Sequence, residues 1–235
     1  MFDYKKCYDL IATKNRNTSV ELIVGTKCQK ACKYCYRVRN QNDYGIVNET
    51  DIDRLKMYYD NAKEMGLIRK NKKYEFELFG GDPIIDLDIL RYTYDKFKDD
   101  ASYFILPSNC TVLENLPMSD IEALVSYFNN QLYVSISADT PFMEKDNRPL
   151  SSFGKMQGLS EERNWDKLVA ISKKFQWGFH PMLYLENVDN WFESFKWIID
   201  QDVMCYLLEV RHGHFDFKVI KKGVSQLLKM RKYCD

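Results

Sequence analysis

The chain has 235 residues, of which 45% are hydrophobic and 29% charged, a mix that excludes a disordered chain. Lys and Arg number 34 and Asp and Glu number 34, so overall charge gives no reason to expect nucleic acid or an anionic membrane as partner. No apolar run approaches the roughly 20 residues of a membrane span, and charges are scattered through residues 1–15, where a signal peptide would be apolar; the expectation is a cytoplasmic protein.

In chain order, Val20–Val24 is a compact β-branched run and reads as a buried strand. A helix is expected from Thr50, with Asp53 three residues on as in a capping box, and with Ile52, Leu55, Tyr59, Ala62 and Met65 at helical spacing up to Gly66. Tyr74–Phe79 alternates as a second strand, and Leu87, Leu90, Tyr94 and Phe97 mark a second helix. Tyr103–Leu106 is a third strand, expected to stop at Pro107. A third helix is expected from Ser119, with Glu122 in capping-box position, followed by a strand at Leu132–Ser137. Residues 140–162 form the longest irregular stretch. Beyond it come a helix with Trp165, Leu168, Val169 and Phe175, a strand about Phe179–Leu185, a helix with Val188, Trp191, Phe192, Phe195, Ile198 and Ile199, and a sixth strand at Val203–Val210. A last helix is expected from Val219 to Tyr233, within the C-terminal segment 211–235.

Six βα units argue for an α/β fold with a parallel sheet and right-handed crossovers in a single domain over 1–235. They fall short of the eight of a closed barrel. Periodicity leaves two architectures open: an open partial (β/α)6 TIM-like barrel, or a doubly wound sheet. In either, ligands bind at the carboxyl ends of the strands.

The unusual residues cluster at those ends. After the first strand, Cys28, Cys32 and Cys35 are spaced C-x3-C-x2-C. The other cysteines, Cys7, Cys110, Cys205 and Cys234, are isolated, and a cytosolic chain would keep them reduced. Structural zinc usually takes four ligands, and electron-transfer clusters take four cysteines. Three close thiols suit an iron–sulfur cluster with one iron left open. A zinc site completed by a distant thiol such as Cys234, or three buried structural cysteines, are the alternatives from the residues alone.

With Tyr34 before its last cysteine, the loop resembles the cluster loop of the radical S-adenosylmethionine (SAM) superfamily. The resemblance implies a [4Fe–4S] cluster on Cys28, Cys32 and Cys35, with SAM on the open iron and Tyr34 beside the adenine. Gly80-Gly81-Asp82-Pro83 after the second strand resembles the family's Gly-Gly-Glu-Pro turn at the SAM ammonium, with Asp82 one methylene shorter than the usual Glu. Ser108-Asn109-Cys110 resembles a Thr-Asn-Gly, with Cys110 in the glycine position, and implies that Asn109 meets ribose or substrate. Ser137-Ala138-Asp139-Thr140-Pro141 followed by Arg148 is similar to a Ser-x-Asp-Gly-Pro … His-Asp-x-x-Arg pattern, with Thr140 for Gly and Lys145 for His. That pattern belongs to the anaerobic sulfatase maturases and other peptide-modifying enzymes with a SPASM extension, where the serine and arginine contact the SAM carboxylate. A guanidinium fork suits that carboxylate. Glu186-Asn187 after the fifth strand is similar to the same branch and makes Asn187 a ribose candidate; from its own chemistry it could equally cap a helix.

The resemblance covers about residues 20–210. It implies an oxidoreductase-type radical enzyme that takes hydrogen from a peptide or protein side chain, or from a small molecule or nucleotide. It also implies an external flavodoxin- or ferredoxin-like electron donor. The rival from another class is a metal-binding module that only props the fold. The auxiliary-cluster domain of that branch is absent from the sequence, which reads as a short enzyme or an excised core. Arg211-His212-Gly213-His214 reads as a solvated turn or a metal or acid–base pair. Tyr36, Cys110, Cys205 and Tyr206 are candidates to quench a substrate radical, and the catalytic residue itself is not identified.

Overall fold

The computed structural model describes residues 19–35, 47–205, 209–211 and 216–234. Cys7, Tyr36, Tyr206, His212, Gly213 and His214, named above, lie outside the described residues.

Strand β1 is Ser19–Gly25, β2 Tyr74–Gly80, β3 Ala101–Ser108, β4 Leu132–Ile136, β5 Met182–Tyr184 and β6 Glu209–Arg211. Between them lie α1 Glu49–Glu64, α2 Leu87–Phe97, the short α3 Thr111–Asn115, α4 Met118–Tyr127, the short α5 Glu144–Asn147 and α6 Ser152–Met156, α7 Trp165–Phe175 and α8 Trp191–Asp200, with α9 Phe217–Cys234 last. Strands β1 to β4 form one parallel sheet in chain order, and β5 pairs in parallel with β6. Single bridges from Ile136 to Phe179 and from Phe179 to Cys205 carry the series from one sheet to the other. The order never reverses, so there is no switch point of the doubly wound kind. Among the described residues β1 pairs with β2 alone, which leaves the series open between its first and last strands. This is the open partial barrel, and no helix among the described residues is long and apolar enough to cross a membrane.

Alternation along each strand sorts two faces. In β2, Tyr74, Phe76 and Leu78 are buried against the helices, while Glu75, Glu77 and Phe79 face the other way. The helix-side core is strongly aromatic: ring centroids are 5.1 Å apart for Phe76 and Phe97, 5.5 Å for Phe104 and Phe128, and 4.6 Å for Tyr94 and Phe128. Such tilted and edge-on pairs add to area burial through their quadrupoles. A second cluster of Met143, Leu183, Leu185, Val188, Trp191 and Met230 seats α9 against α8.

Several local expectations are corrected. Helix α1 starts at Glu49, because Asn48 and Asp51 form the capping box and Thr50 lies inside the first turn. Helix α4 starts at Met118 after Pro117, which has the φ of −55° that a helix entry needs; no side chain caps it. Strand β3 runs through Pro107: β2 pairs with it only as far as Ile105, so the missing N–H breaks no ladder on that side. The stretch 140–162 contains α5 and α6, too short to show a helical period. The fifth strand is regular only from Met182 to Tyr184, with Phe179 as a bridge, and the described part of the sixth is Glu209–Arg211.

Candidate functional site

The loop carrying the three cysteines is clamped from both sides. On one side lies the turn after β2: Gly81 N–H donates to Gly25 O at 3.1 Å, and Asp82 N–H donates to Lys27 O at 2.7 Å. A Cβ on Gly80 (φ +147°) would sit 2.0 Å from Gly25 O, and one on Gly81 would sit 2.1 Å from Lys27 O. The two glycines are therefore required where β2 presses on the loop. On the other side lies segment 147–151, where Ala31 N–H donates to Pro149 O, Lys33 N–H to Asn147 O and Ser151 N–H to Gln29 O. Ser151 Oγ–H also donates to Cys28 O at 2.8 Å.

Because backbone cannot yield as a side-chain tip can, Gly81→Ala should lower stability by about 3 kcal/mol. Denaturant unfolding of the metal-free protein measures this; a midpoint equal to the parent's would show that β2 does not press on the loop as described.

The thiols open on a cavity of about 420 Å³ at the carboxyl ends of the strands. Cys28, Cys32, Cys35, Tyr34, Gly80, Gly81, Asn109, Ser137 and Arg148 line it. So do Glu77, Phe79, Ile105, Pro107, Ser135, His180 and Met182 from the strand face opposite the helices. Burial pushes the Cys28 thiol up to about 12 and the Cys32 thiol up to about 11, so both are protonated until a positive partner arrives. Among the described residues no three His, Cys, Asp or Glu side chains are gathered as ligands of one metal ion.

The other four candidates lie off the cavity wall. Asp139 is fully buried behind it and works as a hub. Its Oδ2 accepts from Tyr34 O–H at 2.6 Å and Asn147 Nδ2 at 3.0 Å, and its Oδ1 accepts from Met182 N–H at 2.9 Å. Arg148 Nε lies 2.9 Å from the same Oδ1 without aiming its N–H at it, and the guanidinium covers the Tyr34 ring at 5.2 Å. Asn187 sits in the 3-10 turn after β5. Asp82 and Pro83 line a separate smaller cavity of about 110 Å³ with Lys27, Val47 and Ile85.

Asp82 Oδ1 accepts from Ser108 Oγ–H at 2.8 Å, while its buried Oδ2 has no partner. Burial pushes its carboxyl from 3.8 up to about 6, against the pull of the Ser108 hydroxyl and the Ile84 and Asn109 backbone. A raised acid favours folding while protonated. Its contribution is full below the ordinary value and is lost as pH rises through about 6, on the order of 3 kcal/mol for this shift. Asp82→Asn should therefore remove a loss of metal-free stability between pH 4 and 7. Superimposable pH profiles for parent and variant would mean the carboxylate is solvated.

Sequence reasoning missed a buried ion network behind the loop. Lys30 Nζ lies 3.5 Å from Glu144 Oε1, and Arg148 Nε 3.8 Å from Glu144 Oε2. Arg163 binds Glu144 at 2.5 Å and Glu114 at 2.8 Å. With Asp139 this makes three cations and three anions, all nearly enclosed, as buried charges require. Burial alone would raise Glu144, but Arg163, Arg148 and Lys30 hold it below the usual carboxylate range. His180, whose Nδ1 lies 3.4 Å from Ser135 Oγ, was also missed. Strand alternation could have found it, since Phe179 beside it faces the core. Cys110 (φ +61°) and Thr140 (φ +75°), which stand where the resembling patterns have glycine, keep glycine's left-handed backbone.

No protein-family model matches the chain. It is 22% identical over 104 residues to the radical SAM cyclopropyl synthase TigE of Paramaledivibacter caminithermalis, an alignment covering 41% of this chain and 22% of that protein. Its fold matches two solved structures of anSMEcpe with bound AdoMet, one carrying a histidine tag and one native, at TM-scores of 0.66 and 0.65 and 16% identity. These matches cover 89% of this chain and 59% and 58% of theirs. The chain thus spans under a quarter of the curated relative and under three fifths of the solved ones. The chain is thus similar in sequence, over part of its length, to a radical SAM cyclopropyl synthase, and similar in fold to anSMEcpe.

Proposed function

We propose that the chain is a radical SAM enzyme that takes a hydrogen atom from a peptide or protein side chain. The observation that carries this is the convergence of Cys28, Cys32, Cys35, Gly80, Gly81, Asn109 and Arg148 on one cavity at the strand ends. The donor set suits the group: three soft thiols suit iron, and the paired glycines let the turn after β2 press directly on the loop that carries those thiols. When bound, a [4Fe–4S] cluster supplies the electron that cleaves SAM reductively and leaves a carbon radical able to abstract hydrogen.

The chain's own residues bind, orient and exclude water. Cys28, Cys32 and Cys35 would hold the cluster. Arg148, held beside Asp139 and stacked on Tyr34, presents a cation to the cavity for the SAM carboxylate. Tyr34 is fixed by Asp139 so that its ring walls the cavity. Ser137 and Asn109 add polar groups on the same wall for carboxylate and ribose. Phe79, Ile105, Pro107 and Met182 supply the apolar surface that keeps water from a reactive radical. The similarity of Ser137–Arg148 to the peptide-modifying branch supports a peptide substrate, and the side between first and last strands, unpaired among the described residues, offers it a path. An external flavodoxin- or ferredoxin-like protein would deliver the electron.

The test is anaerobic reconstitution with iron and sulfide, chemical reduction, and product analysis. SAM should give methionine and 5′-deoxyadenosine, slowly even without substrate. A cluster-loaded protein that leaves SAM intact would reject the reading.

A further inference from the structure

We infer that Arg163 is a positioning residue for two of the three thiols, acting on Cys28 through Asn109 and on Cys32 through Glu144 and Arg148; the redox part of this inference rests on the cluster reading above. Arg163 lies outside the sequence patterns of the site, does not line the cavity, and comes from the loop before α7. Its side chain is 2% exposed. Its guanidinium sends one bond to each of three segments: Nε to Glu114 Oε2 at 2.8 Å, Nη1 to Glu144 Oε1 at 2.5 Å, and Nη2 to the Asn109 carbonyl at 2.6 Å. Only a rigid planar fork reaches three directions at once; an ammonium is a single point.

Two of those bonds continue to sulfur. With its backbone held, Asn109 directs Nδ2 to Cys28 Sγ at 3.6 Å and to Gln29 Oε1 at 3.3 Å. Glu144, held by Arg163, lies beside Lys30 between the first two cysteines and beside Arg148, whose Nη1 lies 4.0 Å from Cys32 Sγ. The third bond, to Glu114, leads to no thiol. Among the described residues no side chain donates to Cys35. Cys35 is thus an internal reference and Glu114 an internal control. Groups behind the ligands orient them, and N–H donors to ligand sulfur stabilise the reduced cluster and raise its potential.

The experiment compares parent, Arg163→Lys, Arg163→Met and Glu114→Gln in two measurements. In the metal-free protein, iodoacetamide alkylation of each cysteine is followed by mass spectrometry. Both Arg163 variants should speed Cys28 and Cys32 several-fold relative to Cys35, less in the lysine variant, while Glu114→Gln costs stability yet keeps the parent ratio. If Arg163→Met does not fold, Arg163→Lys alone decides. In reconstituted protein, a redox titration should shift to more negative potential for the Arg163 variants and stay at the parent value for Glu114→Gln. Alkylation ratios that stay at the parent value in a folded Arg163 variant, or that move equally in Glu114→Gln, overturn the inference. A parent that takes up no iron would reject the proposed function, while the alkylation ratios would still decide the role of Arg163.

Discussion

Replacing Cys28, Cys32 or Cys35 singly with alanine is expected to abolish iron–sulfur loading and leave the fold nearly intact. The three residues sit in a loop at the rim of the strand ends, away from the aromatic core between sheet and helices. The loop's own anchoring uses backbone bonds of Ala31, Lys33, Ser151 and Gly81 that the thiols do not make. Truncating a partly exposed thiol such as Cys35 removes little packing, so its unfolding midpoint should hardly move. Cys110→Ala behaves differently: that thiol is fully buried beside Ser108 and off the cavity, so the variant should lose some stability and keep its iron. Iron and sulfide analysis of the reconstituted proteins checks both statements. Full loading in all three loop variants would remove the basis of the site.

The second large effect is expected at Arg148. Arg148→Ala leaves Asp139 and Glu144 short of a buried cation, and breaking such a pair costs about 3–5 kcal/mol. The loss also frees the Tyr34 ring that the guanidinium covers. Arg148→Lys keeps a charge but not the fork, and should cost less stability. In that folded variant SAM binding should weaken by about 1.5–3 kcal/mol, the size of a lost charge-assisted bond. Denaturant unfolding and anaerobic SAM titration separate the two. Parent-like stability for Arg148→Ala would mean that Asp139 and Glu144 find other partners. Parent-like SAM affinity for Arg148→Lys would place the carboxylate elsewhere.

Much of the fold is legible in the sequence because strands and long helices carry their own periods. The run Tyr74–Phe79 alternates because one face meets helices and the other a cavity. Helix boundaries are less legible. Asn48 and Thr50 are both good caps, and only the geometry of Asp51 chooses between them. The cysteines are legible from their spacing along one short loop, and Gly80, Gly81 and Arg148 through the family resemblance of the motifs that contain them. Lys30, Glu114, Glu144 and Arg163 are not, since each is an ordinary charged residue in sequence. Their pairing comes from the segments after β1, β3 and β4, short helices included, folding onto one another, which no local pattern encodes. Asp82 is an intermediate case: its motif is legible, but its burial beneath Ser108, away from the larger cavity, is set by the turn into the 3-10 segment Pro83–Ile85.

The most direct test of the central claim is the electron paramagnetic resonance spectrum of the reduced, reconstituted protein, recorded with and without SAM. The protein should carry about four irons per chain. Its reduced-cluster signal should change when SAM is added, because an iron that no cysteine holds is open to the amino acid end of SAM. A protein that takes up zinc in place of a cluster, or a cluster signal that SAM leaves unchanged, would contradict the account.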